Sequence, residues 1–167
     1  MITASKLSLT VVALLALGTT AVQAQSASIQ ATATVQTPLT VTGTAPLAFG
    51  NVFPGLPKTV LSGDATSGRF TILGQPTAEV SMTFTLPTNL TFGANNLPIG
   101  TWTGQHNATN TVPGTVFVPS AASTLAVLAA GTGNRFVFIG ATVTPAVAQA
   151  AGAYAGTITM NVVYTGN

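Results

Sequence analysis

Residues 25–41 alternate between polar and apolar side chains over most of their length, and this alternation constrains the fold more than any other feature of the chain. From 27 to 35 the odd positions are apolar, and from 26 to 36 the even positions are polar. Because successive side chains of a β-strand point to opposite sides, a period of two indicates an extended strand with one apolar face. The alternation therefore predicts β structure here and argues against a helix.

Similar runs follow at intervals and are bounded by glycine or proline, which commonly flank strands. We predict further strands at 69–73, 79–86, 135–143 and 154–164, with weaker candidates at 112–118 and 125–129. The last of these could instead be helical, because it contains two alanines and is soon followed by a glycine. Residues 135–143 are apolar on both faces, which is typical of a central strand.

The number and spacing of these strands predict the fold class. About seven strands with threonine-rich outer faces argue for an all-β, immunoglobulin-like sandwich with an extended N-terminal arm. One short helix is expected over 144–151, because Thr144 suits its N-cap, Pro145 suits its first position and Gly152 suits its end.

Charge is almost absent from the chain, and this limits its chemistry. The 167 residues include four Lys and Arg, two Asp and Glu, one His and no Cys. Without cysteine there is no disulfide or thiolate chemistry, and so few carboxylates offer little for acid–base or metal chemistry. So few cations cannot form a surface for nucleic acid. We therefore expect no enzyme, no catalytic residue, no cofactor, no metal site and no nucleic-acid partner.

Residues 1–24 are predicted to be a signal peptide. Lys6 precedes an apolar run at 7–17, and small residues follow up to Ala24. A basic start, an apolar core and a small-residue cleavage site are the marks of Sec export. The apolar run is shorter than the roughly 20 residues that span a bilayer. We expect cleavage after Ala24, passage through the periplasm, a final place at the cell surface or in an extracellular filament, and no membrane span.

Residues 101–107, which we expect to form a polar loop, contain two candidate functional side chains, Trp102 and His106. No Gly-x-Ser-x-Gly motif accompanies His106, so we expect a surface histidine without a catalytic role. Trp102 could stack on a sugar ring if it were exposed, or it could plug one end of the sandwich.

The first alternating run is too long for one strand of a small domain. At about 3.3 Å a residue, residues 26–41 would extend roughly 50 Å, whereas a typical strand spans about 17–20 Å. Pro38 offers a natural break, because proline cannot donate a hydrogen bond to a neighbouring strand. We therefore divide the mature chain into an arm at 25–37 and a sandwich domain at 38–167, whose first strand begins near Leu39.

An uncharged amphipathic arm can pair at the edge of its own domain, or it can pair with another copy of the chain. In the second case its main chain completes an exposed sheet edge while its apolar side chains fill a groove. Because donor and acceptor surfaces differ, repeated donation builds an open filament. The expected donor side chains are Ala27, Ile29, Ala31, Ala33 and Val35. The expected groove or core side chains are Tyr154, Ile158, Met160, Val162 and Tyr164.

Four segments resemble a bacterial family of secreted β-sandwich proteins, which is classified as a domain of unknown function. These segments are residues 48–52, 68–72, 136–143 and 152–164. The last segment is also similar to the final strand of chaperone–usher pilins and spore-coat-U-like fimbrial subunits. In those proteins a glycine precedes this strand and a tyrosine ends it, as Gly152 and Tyr164 do here. The resemblance covers roughly residues 27–167.

The resemblance implies a structural subunit of a fimbria-like polymer assembled by donor-strand complementation. A periplasmic chaperone would hold the groove open, an outer-membrane usher would secrete the subunit, and the arm would fill the groove of another copy. The alternative is a monomeric secreted or surface sandwich that binds a glycan or a host surface, through Trp102 for example.

Overall fold

A computed structural model of the chain describes residues 25–166. By its internal contacts the chain divides into two units, Met1–Thr34 and Val35–Asn167. In the described part of the first unit, residues 25–34, every side chain is exposed and none belongs to a helix or strand. The predicted signal peptide, residues 1–24, lies outside the described residues.

The second unit is built from strands joined by turns and loops, and its described residues contain no helix. The strands are β1 (Thr40–Ala45), β2 (Lys58–Val60), β3 (Gly68–Leu73), β4 (Glu79–Thr85), β5 (Asn89–Phe92), β6 (Asn95–Asn107), β7 (Thr115–Phe117), β8 (Thr124–Val127), β9 (Asn134–Val143) and β10 (Thr159–Tyr164). The all-β class is thus confirmed. In the run at 125–129, which could have been helical, residues 125–127 belong to strand β8.

The strands form two antiparallel sheets. The larger follows the order β1-β3-β9-β6-β5, with β2 also on β9 and β7 also on β6; the smaller follows the order β10-β4-β8. β3 and then β2 pair along one edge of β9, while β6 pairs along the other edge. β9 is therefore a central strand, as its two apolar faces predict.

The main hydrophobic core draws side chains from both sheets. Ile72, Val137 and Ile139 of the larger sheet belong to the same buried cluster as Val80 and Met82 of the smaller. The buried residues of β4 alternate with less buried ones, as the predicted apolar face requires. Two antiparallel sheets that share one core are consistent with a β-sandwich.

The helix predicted over 144–151 is wrong, because this stretch forms only a turn. The turn is closed by a hydrogen bond of 3.0 Å from the Gln149 N–H to the Ala146 carbonyl. The Gln149 side chain accepts a second bond, of 3.2 Å, from the Ala146 N–H. Residues 146–148 are exposed, so a helix here would bury no apolar face. A helix this short needs such packing, because its first turn is costly to form.

The strand predicted at 154–164 is present only in its second half. Residues 153–158 instead approach β5, where Thr91 and Ala155 exchange two backbone hydrogen bonds of 2.8 and 3.0 Å. The approach is close because Gly152 lies against the ring of Phe92, where a Cβ atom would overlap it. Glycine therefore brings this segment against β5 before β10 begins.

Replacing Gly140 with alanine should lower the free energy of unfolding by about 2 kcal/mol, because overpacking a core forces the backbone to move. A Cβ atom at Gly140 would overlap the backbone of Val60, Leu61 and Ser62, which cannot rotate away. Chemical denaturation would measure the loss. Gly131→Ala is the matched control, since a Cβ atom at Gly131 meets nothing within 4 Å. Equal stability of the two variants would contradict the close packing of β2 on β9.

Candidate functional site

An apolar groove of about 1160 Å³ lies in the second unit, between the end of β1 and the start of β10. It is lined mainly by residues 43–54 and 149–158, together with side chains from β3, β5, β6 and β9. No charged side chain lines it. An uncharged concave surface of this kind suits an uncharged, largely apolar ligand.

One side of the groove owes its shape to alternation after β1 ends. Ala45, Leu47 and Phe49 are half-buried, whereas the residues between them are exposed. Leu47 and Phe49 pack on a second core cluster formed by β6 and β9. Gly68 lets this segment lie close to β3, because a Cβ atom there would come within 3.2 Å of the Leu47 side chain. The groove therefore presents alternate side chains, although residues 46–49 form no strand.

The other side of the groove is held by a small hydrogen-bond network. The Tyr154 hydroxyl donates to the Ala150 carbonyl at 2.8 Å and accepts from the Gln149 amide at 2.7 Å. The same amide donates to the Asn96 carbonyl at 3.1 Å. The Tyr154 ring also packs on Phe92, with 5.8 Å between the ring centroids. These contacts fix residues 149–158 to β5 and β6.

β10 has an open edge next to this groove. Among the described residues it pairs with β4 alone, just as β1 at the end of the larger sheet pairs with β3 alone. The Phe84 N–H donates to the Ser120 carbonyl at 2.8 Å and so points away from β10. Met160 of β10 lies opposite Phe84 in this antiparallel pair. Because the two residues of such a pair either both point their backbone groups at each other or both point them away, the Met160 N–H and carbonyl point away from β4. The same holds at every second residue, so Val162 and Tyr164 share this orientation.

Tyr164, the last residue of β10, links this strand to the segment that precedes β1. Its hydroxyl donates to the Thr37 carbonyl at 2.7 Å and accepts from the Gln75 N–H, also at 2.7 Å. A Cβ atom at Gly74 would overlap this hydroxyl, so glycine is needed beside it. The start of β1 and the end of β10 are thereby joined.

The predicted groove residues fall into two sets. Tyr154 and Ile158 line the groove, whereas Met160, Val162 and Tyr164 belong to the main core or pack against it. The predicted donor side chains all lie outside any strand and are exposed: Ala27, Ile29, Ala31, Ala33 and Val35. Ile29 and Val35 are 95% and 94% exposed, values far from those of a packed strand.

The prediction of a surface histidine on a polar loop is wrong. His106 lies in β6, is 4% exposed and packs on Phe117 with 5.7 Å between the rings. Its Nδ1 atom is buried and has no hydrogen-bond partner among the described residues. Burial, assisted by the positive charge of Arg135, lowers the pKa of His106 from 6.5 to about 4. The imidazole is therefore uncharged at neutral pH.

Trp102 also lies in β6 and not on a loop. The pairing with β9 is irregular between Gly100 and Thr103, and Thr101 has a positive φ of 49°. Such a bulge changes the direction of the side chain beside it. The half-buried indole packs against both core clusters, and it also borders a shallow depression that Asp64 helps to line.

The described residues supply few groups for other chemistry. No three of their His, Cys, Asp and Glu side chains lie close enough together to hold a metal ion. Residues 25–166 also include no helix that is long and apolar enough to span a bilayer. The groove and the open edge of β10 are therefore the features on which a function can be argued.

No protein-family model and no curated protein matches the chain.

Proposed function

We propose that this protein is a structural subunit of an extracellular fimbria-like polymer, in which the arm of one copy completes the sheet of another. The observation that carries the proposal is the open edge of β10 beside an uncharged apolar groove. The arm supplies the matching part, because residues 25–37 alternate in sequence and belong to no strand. One chain would thus carry both an acceptor site, which is the groove with the open edge of β10, and a donor segment suited to it.

The chemistry of the arm suits the groove. Neither the groove lining nor residues 25–37 contains a charged side chain, so no charged side chain would lose its hydration when they meet. Ile29 and Val35 would each gain about 1.5–3 kcal/mol from complete burial. The main chain of the arm would also hydrogen-bond to the outward groups of β10, as in other cases of strand addition.

This proposal extends to the fold and the route of export. We take the two sheets as an immunoglobulin-like sandwich that lacks one strand beside β10, as in pilins. Residues 1–24 would direct Sec export, a periplasmic chaperone would cover the groove, and an outer-membrane usher would pass the subunit to the surface. The role is structural and needs no catalytic residue or cofactor.

The alternative, a monomeric binder of glycans or host surfaces, has weaker support. Stacking on a sugar needs a free ring face, but Trp102 is half-buried between the two core clusters. The depression beside it, at about 470 Å³, has less than half the volume of the groove, which is about 1160 Å³.

Deleting residues 25–37 should abolish the polymer while the body still folds. Both chains would be exported with residues 1–24 intact, and unheated gels and electron microscopy would follow the product. The full chain should give a ladder of oligomers and filaments, whereas the deletion variant should give neither. Added peptide 25–37 should bind the deletion variant and raise its melting temperature.

A particular outcome would overturn the proposal. If the purified full chain were a stable monomer in which residues 25–37 already completed its own sheet, strand donation between copies would be excluded. Hydrogen exchange of the arm amides, at a concentration where the chain is monomeric, distinguishes the two cases.

A further inference from the structure

A tight turn at the edge of the groove presents two large apolar side chains to solvent. Pro54 and Gly55 occupy its central positions, the Leu56 N–H donates to the Phe53 carbonyl at 3.1 Å, and Gly55 has a φ of 73°. A turn of this kind favours proline and then glycine at its two central positions. Phe53 and Leu56 stand at its ends and are 66% and 63% exposed.

A second turn adds a third apolar side chain at the same place. The Gly55 N–H donates to the Ala146 carbonyl at 3.1 Å, and a Cβ atom at Gly55 would lie 3.5 Å from Val147. Val147 is 87% exposed. We call Phe53, Leu56 and Val147 the rim patch. Since Phe53 also lines the groove, the patch and the groove form one continuous surface. Adjoining exposed apolar side chains of this kind mark interaction surfaces.

The rim patch lies at the end of the sheets where β10 begins. β2 follows the turn at 53–56, and its first residue, Lys58, pairs with Val143 at the end of β9. The opposite end of β9, Asn134, pairs with Leu73 of β3. The Tyr164 hydroxyl is bonded to Gln75, just beyond Leu73, so β10 ends there. The start of β10 and the rim patch therefore share one end.

Chain length then limits where a donor copy can sit. An arm that pairs antiparallel with β10, the more stable arrangement, brings its Val35 end to the start of β10. Only residues 36–39 separate Val35 from β1 of the donor, and they span at most about 14 Å. The body of the donor must therefore lie against the end of the recipient that carries the rim patch.

We propose that the rim patch is the docking surface for the body of the donor copy, a second contact besides the arm in the groove. This inference rests on the proposed function and adds a partner surface to it. The donor has an apolar side chain at the matching place, because Leu73 is 45% exposed and pairs with Thr40, the first residue of β1. The body contact buries apolar surface that the arm alone leaves in water.

The test compares two pairs of serine substitutions in the full chain. Leu56→Ser with Val147→Ser alters the patch and spares Phe53, which also lines the groove. Leu125→Ser with Val127→Ser is the matched control on β8, where these side chains are 54% and 49% exposed. We expect the patch variant to form polymers that dissociate at least tenfold faster in detergent, and the control to behave as the wild type.

A second measurement separates this inference from the proposed function. Labelled peptide 25–37 is added to full chains whose own arm carries Ile29→Asp, with and without the patch substitutions. Equal binding by both, together with fast dissociation of the patch polymer, supports a separate body contact. Equal binding with wild-type dissociation overturns the inference and leaves strand donation standing. Weaker binding by the patch variant also overturns it, since the patch would then belong to the groove. No binding by either chain refutes the proposed function itself.

Discussion

Ile29→Asp should abolish polymer formation, whereas Gln30→Asp, the next residue along, should leave it nearly unchanged. The side chains at 29 and 30 point to opposite sides of an extended arm, so only the first would enter the groove. A carboxylate buried in an uncharged groove costs about 4 kcal/mol or more, which weakens each junction about a thousandfold. Unheated gels and electron microscopy of the exported chains would measure the loss.

The comparison controls for charge and for folding. Both variants add one negative charge to the arm, so a general effect of charge on assembly would affect them equally. Ile29 is 95% exposed within its own chain, so Ile29→Asp should leave the melting temperature of the monomer unchanged. If the two variants formed equal ladders, the arm would not present alternate side chains to a groove.

A second large effect is expected in acid, where the protein should lose stability because of His106. Its folded pKa of about 4 lies below its ordinary value of 6.5. Above about pH 6.5 both folded and unfolded chains are neutral at this residue, so it has no effect. As the pH falls towards 4, the unfolded chain binds a proton that the folded chain does not. The free energy of unfolding should therefore fall by about 3 kcal/mol over this range.

Removing the imidazole should remove most of this acid loss. In His106→Phe the new ring can still pack on Phe117, and the unpartnered Nδ1 atom is gone. Urea unfolding at pH 7.5 and pH 4.5 should show a large difference for the wild type and a small one for the variant. Asp64 and Glu79 are the carboxylate side chains of the described residues, so few others could mask the effect. An equal acid loss in both proteins would refute the assignment to His106.

The sequence predicted the strands whose signal is local. β3, β4 and β9 begin and end within one residue of the predicted strands, because apolar side chains occupy most or all of at least one face of each. β6 was missed because its positions next to Phe117 and the core are Trp102, Gly104 and His106, which are not uniformly apolar. Their spacing of two was the available signal.

The parts that depend on contacts between distant segments could not be predicted. The helix expected over 144–151 fails because residues 146–148 stay exposed, so a helix there would bury no apolar face. The sequence predicted one side of the groove, which Tyr154 and Ile158 line. The other side was not predicted, because it depends on Leu47 lying against Gly68. A sequence read one segment at a time does not reveal such a contact.

The hydroxyl of Tyr164 has a mechanical consequence at the base of the arm. In the proposed fibre, tension would pull each arm where it leaves the body, close to Thr37. Because the phenol ties the Thr37 carbonyl to the backbone of Gln75, part of that force would pass into β10 and the loop before β4. The load would then be shared by both sheets, and β1 would resist being peeled from β3 one hydrogen bond at a time.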